Sequence, residues 1–443
     1  MQRRKFIKKV SWISLSTLSA EGIFASCSKT ELLKDVEFDG KVIIIGAGAA
    51  GLHAGYLLQS KNIDFEILEA DIRYGGRMGR LDGFSDYPID TGAQWLHGNQ
   101  SDLGQLIQSE KVKITLNDSE YSFWFQNQLI KSLPKDPFIF EKDNLPDVSF
   151  AEYAADEGFS EDYEFIIEGI AGDQGAAASR ISAYWNYKEE ENWNSGDEDY
   201  KFEETFFDVI DQQYAKPILD KITTNWEVKS IDYQGDSILI TDSQGNQKIA
   251  DRLIITVPIT ILQKNLIAFS PQLPSEKINA FQKIGMDAGM KVFLKFQSKF
   301  YDDAIIGGAI CAAYESDTPG KNSNEQVLLA FIMGTQAEKL SALGSDENIT
   351  QALLQELDEM YQGQASQQFI ASSIHDFSKN PFIQGAYSYS TVGMGNARST
   401  AAESVDNRLF FAGEAMNLQG HHQTVHGALE SGFTAVKDLL DSL

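Results

Sequence analysis

Lys41-Val42-Ile43-Ile44-Ile45-Gly46-Ala47-Gly48-Ala49-Ala50-Gly51 is the stretch that decides the fold class. The run Val42 to Ile45 is β-branched without alternation, as expected of a strand buried on both faces of a parallel sheet. Leu52 to Leu58 fits a helix and Asp64-Phe65-Glu66-Ile67-Leu68 a second strand ending at Glu69, so the segment predicts a βαβ unit. Three spaced glycines alone are weak evidence. Here they sit between a strand and a helix, with an acidic residue closing the next strand, which is the context of a dinucleotide site. Gly46 permits the tight turn, Gly48 lets the backbone approach a pyrophosphate, and Gly51 lets the helix pack closely. The helix start at Ala49 offers oriented N–H groups and positive potential to a diphosphate. Glu69 is then placed to accept hydrogen bonds from ribose hydroxyls. The competing reading is a glycine turn in an unrelated α/β protein.

Reading outward, Glu69-Ala70-Asp71-Ile72-Arg73-Tyr74-Gly75-Gly76-Arg77 continues without a break. An arginine behind two glycines can meet phosphates through charge-assisted bonds. The whole segment resembles the G-x-G-x-x-G…E-A-x-x-R-x-G-G-R signature of the flavin-containing amine oxidase family, which includes monoamine oxidases, polyamine and spermine oxidases and lysine-specific histone demethylases. The resemblance runs from about residue 40 to 443 and implies FAD rather than NAD. Asp90-Thr91-Gly92-Ala93-Gln94-Trp95-Leu96-His97-Gly98 is similar to the family segment beneath the flavin, its W-L-H-G closest to spermine and plant polyamine oxidases. Val228 and residues 250–258 match the stretch at the adenosine end. Gly413-Glu414 and Thr424-Val425-His426-Gly427-Ala428 resemble the C-terminal motifs in which a helix N-terminus faces the isoalloxazine carbonyl. An N–H dipole there stabilises the negative charge of reduced flavin.

Gly289-Met290-Lys291-Val292-Phe293-Leu294-Lys295-Phe296 resembles the family strand whose lysine holds a water against flavin N5, which assigns that role to Lys291. Alternation alone does not say which lysine is buried, because Lys291, Phe293 and Lys295 share one strand face. Burial beside a flavin is expected to lower the ammonium pKa. Gly385-Ala386-Tyr387-Ser388 matches the stretch that supplies one wall of an aromatic cage, so Tyr387 is expected to receive the amine on its ring face. Ala386 stands where monoamine oxidases carry the flavin-bonding cysteine, implying noncovalent FAD. Thr424 replaces the second cage tyrosine, as in the histone demethylases, and Phe377 stands where a tryptophan is usual. Trp95 and His97 complete the implied substrate side.

The resemblance implies oxidation of a C–H next to an amine nitrogen, with hydride equivalent passing to the flavin. The imine hydrolyses to aldehyde and amine, and dioxygen is reduced to hydrogen peroxide. The nearest enzymatic rival is an L-amino acid oxidase, but such relatives carry an arginine where this chain has Trp95 after Gly92-Ala93-Gln94, removing an obvious carboxylate clamp. A rival from another class is a non-catalytic FAD-containing surface lipoprotein, against which the presence of Lys291 and Tyr387 argues.

Acidic residues outnumber basic ones 64 to 37, a formal charge of -27 that argues against nucleic acid and favours a small cationic amine. Only Cys27 and Cys311 are present, so neither a disulfide framework nor a thiolate metal site is indicated. The first 30 residues read as an export segment: Arg3-Arg4-Lys5-Phe6-Ile7-Lys8 resembles a twin-arginine signal and Phe24-Ala25-Ser26-Cys27 a lipobox. Acylated Cys27 would then anchor a periplasmic or cell-surface bacterial protein through lipid alone. Cleavage there removes 5 basic and 1 acidic residues, leaving 32 against 63 and a charge of -31. Trp226 to Pro258 reads as a meander, 347–361 as an amphipathic helix, 424–440 as the final helix, and the acidic run Glu189 to Asp199 as a solvated surface. The predicted architecture is α/β: a discontinuous Rossmann-like FAD domain (40–115, 219–287 and 385–443) with an inserted α+β substrate domain (116–218 and 288–384).

Overall fold

The computed structural model describes residues 32–140, 142 and 144–443; the export segment and Cys27 lie outside the described residues. Lys41–Ile45 is the central strand of a five-stranded parallel sheet, in the order Ile222–Thr223, Asp64–Leu68, Lys41–Ile45, Arg252–Ile255, Leu409–Phe411. Three distant stretches of chain thus build one sheet. Its two faces belong to separate cores, which is why the strands carry apolar residues without alternation. On one face Val42, Ile44, Ile67 and Phe410 pack against the helices Ala49–Ser60 and Val425–Asp441. On the other, Ile43, Ile45, Ile255 and Phe411 pack against Ile231, Ile238 and Ile240 of a four-stranded mixed sheet.

That second sheet corrects the meander reading. Val228–Asp232, Ile238–Asp242 and Gln247–Ala250 pair antiparallel, but Arg252–Ile255 leaves them and joins the parallel sheet. Leu253, Ile254 and Ile255 are all buried, and only a strand covered on both faces accommodates such a run.

A seven-stranded sheet, ordered Phe369–Asp376, Gly289–Phe296, Gln326–Met333, Ala313–Ser316, Ala304–Ile306, Tyr121–Phe125, Gln128–Ile130, forms the second half. Gly289–Phe296 lies between two antiparallel neighbours. Val292 and Leu294 face a core shared with Leu353 and Leu357 of the helix Asp346–Tyr361, while Phe293 packs with Ile89, Val327 and Leu329. The face bearing Lys291 is therefore turned toward the segment around Ile89 to Trp95. Trp95–His97, Asp199–Phe202 and Ile114–Leu116 form a small antiparallel sheet beside it.

The acidic run is not simply a solvated surface. Asp199 is buried opposite His97, and Glu189 accepts from Arg398 Nε at 2.6 Å. Gly98 and Gly420 both lie against the backbone of this segment: a Cβ at Gly98 would meet Ser195 O at 2.0 Å and one at Gly420 would meet Glu189 O at 2.6 Å. Charge runs are usually solvated, but here long-range pairing buries Asp199 and draws Glu189 against Arg398. Cys311 is a buried free thiol, and among the described residues no helix is long and apolar enough to cross a membrane.

Candidate active site

One cavity, about 1870 Å³ of space outside protein atoms with its mouth included, runs from the glycine loop to Lys291 and Tyr387. At the loop end it is lined by Gly46, Gly48, Ala49, Glu69, Ala70 and Gly76. Gly46 takes φ +102° and its N–H donates to Leu68 O at 2.8 Å, closing the turn between strand and helix. Gly51 does not line the cavity. A Cβ there would sit 2.0 Å from Gly46 O, so its role is the close approach of helix to loop, whereas a Cβ at Gly48 would have nothing within 4 Å and would project into open space. The helix Ala49–Ser60 starts without a side-chain cap. Its first N–H groups therefore depend on a ligand or solvent.

Glu69 is engaged locally, accepting from Ala47 N–H at 2.7 Å and Asp71 N–H at 2.9 Å, with burial raising its pKa against the pull of these two donors. It thereby holds the glycine loop in shape while lining the same space that a ribose would enter. Val228, Thr256 and Pro258 also line this end.

Arg77 lines the cavity, but its guanidinium is shared with protein partners: Nη1 donates to Glu414 at 2.8 Å and to Ala386 O at 3.0 Å. Glu414 also accepts from Ser388 Oγ at 2.7 Å and from Gln423 N–H at 2.9 Å. Burial pushes its carboxyl up, but Arg77, Arg398 and Ser388 outweigh that and hold it down at about 2. One ionised carboxylate therefore ties the Gly-Gly-Arg loop, the strand after Tyr387 and the approach to the C-terminal helix together. Gly413, Glu414, Val425 and Ala428 border the cavity at this junction.

At the far end Lys291 is 3% exposed; its Nζ donates to Gly92 O at 2.5 Å and to Gln94 Oε1, and lies 5.2 Å from the Trp95 ring centroid. Burial pushes its ammonium well below the ordinary lysine range, opposed by the carboxylates of Asp90 and Asp317. The cross-strand neighbour His375 is pushed down to about 4 by burial and by Lys291, so it stays neutral and adds no charge. Tyr387 donates its hydroxyl to Gly172 O at 3.2 Å and Asp173 O at 3.1 Å. Its ring lies on Gly175, where a Cβ would meet Cε2 at 2.4 Å. Thr424 lines the cavity but its hydroxyl proton is already committed: the oxygen accepts from Gly427 N–H at 2.9 Å as the N-cap of Val425–Asp441 and the O–H donates to His421 O at 2.7 Å. His97 lines the cavity with Nδ1 2.7 Å from Asp199 Oδ1. Phe377 and Ala386 lie on the same wall system.

The donor set fits a flavin dinucleotide. Gln94 Nε2 and Trp95 Nε1 are buried without a protein partner in residues that line the cavity. Leaving such donors unsatisfied costs about 1–3 kcal/mol each, so the site is built to meet acceptors. Together with the uncapped helix start and the open face of Gly48, they match a long ligand with a diphosphate in the middle and a polar flat ring at one end.

Sequence reasoning missed Asp173 and Gln423, which line the cavity, and Gly175 and Asp199, which support Tyr387 and His97. None of these belongs to a local motif. Asp173, Gly175 and Asp199 are brought in by pairing or by a helix end more than a hundred residues away along the chain from the side chain each serves, while Gln423 sits beside Thr424 and ties its own N–H to Glu414.

The family profile described as flavin containing amine oxidoreductase matches residues 49–213 and 207–440. Lysine-specific histone demethylase 2 of Homo sapiens is 28% identical over 93% of this chain and 54% of its own length. The chain thus spans about half the length of that relative. Polyamine oxidase 5 of Oryza sativa subsp. japonica is 26% identical over 90% of this chain and 87% of its own. Among solved structures, wild-type putrescine oxidase bound to putrescine superposes with a TM-score of 0.77 at 18% identity, covering 91% of this chain and 99% of that one, a likeness of fold.

Proposed function

Because this chain belongs to the family of flavin-containing amine oxidoreductases, FAD-dependent enzymes acting on amines, we propose that it oxidises the C–H beside the nitrogen of a small cationic amine, polyamines being favoured. The products are an imine, hydrolysed to aldehyde and amine, and hydrogen peroxide. FAD, when bound, supplies a two-electron acceptor at its isoalloxazine ring that dioxygen reoxidises. The observation that carries the reading is that Lys291 and Tyr387 line the same cavity as the glycine loop.

The chain's own groups do the rest. Tyr387, tethered through its hydroxyl, presents a ring face to the incoming amine, an attraction of about 0.5–2 kcal/mol that grows with desolvation. Lys291, held beneath Gly92 and Gln94 and lowered in pKa by burial, can give or take a proton at Nζ near neutral pH. The N-terminus of Val425–Asp441, capped by Thr424, directs N–H dipoles toward negative charge developing at the reaction end. Phe331, Met333 and Phe377 keep that end apolar. Ala386 offers no thiol, so the cofactor is held noncovalently. The excess of acidic residues draws polycations over long range.

Flavin bleaching under anaerobic conditions and peroxide release in air, measured with putrescine, spermidine, tyramine and leucine, test the reading. Fastest turnover on putrescine or spermidine supports it; leucine as sole substrate points to amino acid oxidation, and silence with all four sinks it. K291M with full FAD should lose at least about a hundredfold in rate, the low end of what a positioned proton-transfer group contributes. The reading also includes export and acylation at Cys27, which palmitate labelling of the wild type and C27A would check.

A further inference from the structure

We propose that Asp199 is the positioning residue of a histidine base: it fixes His97 as the Nδ1–H tautomer, so that Nε2 takes the proton of the incoming ammonium before oxidation. The proposal rests on the amine-oxidation reading above. Trp95–His97 and Asp199–Phe202 pair antiparallel with His97 directly opposite Asp199, and His97 Nδ1 lies 2.7 Å from Asp199 Oδ1. The two side chains are 16% and 4% exposed. An ionised carboxylate only accepts, so Nδ1 carries the hydrogen and Nε2 of the neutral ring presents a lone pair. Ser195 Oγ donates to His97 O at 2.8 Å and Gly98 N–H to Glu198 O at 2.7 Å, clamping the strand from the same acidic segment. This gives the segment a purpose that its surface-like composition does not suggest.

The chemistry needs such a group. An alkylamine with a pKa near that of lysine, about 10.4, is neutral in roughly one molecule in a thousand at pH 7.5. Only the neutral form has the lone pair that assists departure of hydride from the neighbouring carbon. In the proposed step the N–H bond of R–CH2–NH3+ breaks and a bond from hydrogen to Nε2 forms, giving R–CH2–NH2 and imidazolium; no electrons move between molecules. The charge then lies at hydrogen-bond distance from the Asp199 carboxylate. Charged groups on the neighbouring elements are Glu198, whose carboxylate takes the Tyr200 hydroxyl at 2.9 Å, Lys201 on the paired strand, whose Nζ donates to Ser316 O at 2.9 Å and lies 3.3 Å from Glu315, Asp173 among the residues lining the cavity, and Lys291, 5.2 Å from the Trp95 ring centroid.

The test uses FAD-loaded D199N, H97Q and the double variant, with anaerobic flavin bleaching by putrescine followed from pH 6.5 to about 10. D199N should lose about 100-fold in the second-order rate at pH 7.5, the low end of general base catalysis, and recover near pH 10, where the amine arrives neutral. Adding D199N to H97Q should cost nothing further. A loss equal at every pH, or one that adds to that of H97Q, would mean Asp199 serves only to hold the strands, and the proposal fails. Nitrogen-15 spectra of histidine-labelled wild type and D199N read the tautomer without turnover: His97 should show a hydrogen on Nδ1 in the wild type, and a hydrogen on Nε2 instead overturns the positioning role. If no amine bleaches the wild type, the amine-oxidation reading and the base role fall together, while the spectrum still judges the tautomer on its own.

Discussion

Replacing Gly51 or Gly48 by alanine adds the same methyl group at two points of one loop, yet the two variants should fail in different ways. At Gly51 the new Cβ would start 2.0 Å from the carbonyl oxygen of Gly46 and 2.9 Å from Thr256 Oγ1. Real Cβ contacts essentially never fall below 3.0 Å, so the loop and the helix Ala49–Ser60 must part by about 1.0 Å, and the obstacle is backbone that cannot rotate away. Overpacking of this kind costs about 1–3 kcal/mol. Alanine in a helix returns at most about 1 kcal/mol in propensity. The clash therefore outweighs the propensity gain, and flavin-free G51A should unfold at lower denaturant by a net of up to about 2 kcal/mol. At Gly48 the backbone is extended, φ -80°, and a Cβ meets nothing within 4 Å, so flavin-free G48A should be as stable as the wild type. It should nonetheless bind FAD poorly, because the methyl group occupies the space where a pyrophosphate approaches the helix start. Denaturant titration of flavin-free protein and FAD retained per chain give the two readouts. G51A with undiminished stability, or G48A with full FAD content, would refute the division of labour assigned to these glycines.

Three further outcomes follow from the site. The Glu414 carboxyl is depressed to about 2 from an ordinary 4.5, so its stabilising contribution, on the order of 3 kcal/mol, is fully present above pH 4.5 and is lost as pH falls toward 2. E414Q should be less stable at pH 7 and lose less on acidification, and parallel acid-unfolding curves for the two proteins would contradict this. G175A should push the Tyr387 ring from its seat, since its Cβ would start 2.4 Å from Cε2; KM for amines should rise severalfold at unchanged FAD content. T424A should destabilise the C-terminal helix by about 1 kcal/mol through loss of its cap, read as a lower unfolding midpoint.

The parallel sheet and its glycine loop were legible because each is written locally. Val42 to Ile45 announces a strand covered on both faces, and the glycines and Glu69 follow at fixed short spacings. Lys291 and Tyr387 were legible only through family motifs, since alternation could not say which face of Gly289–Phe296 turns inward. The reading of Arg252 as part of a meander failed because a strand's partners are not encoded in the strand itself; burial of Leu253 to Ile255 on both faces took it to the parallel sheet. The acidic run misled for a related reason: composition reports solubility, and only pairing with Trp95–His97 brought Asp199 inside.

The sequence by itself determined an α/β fold and its glycine loop, because these depend on turn geometry and periodicity within a few residues, whereas the amine chemistry was legible only as what the family resemblance implies. Tertiary structure alone decided that Arg77 meets Glu414, that Tyr387 rests on Gly175, that Thr424 spends its hydroxyl on a helix cap and that His97 meets Asp199. Those contacts join residues as far apart as 337 positions, and the packing that selects among such long-range partners is a property of the assembled cores rather than of any one segment.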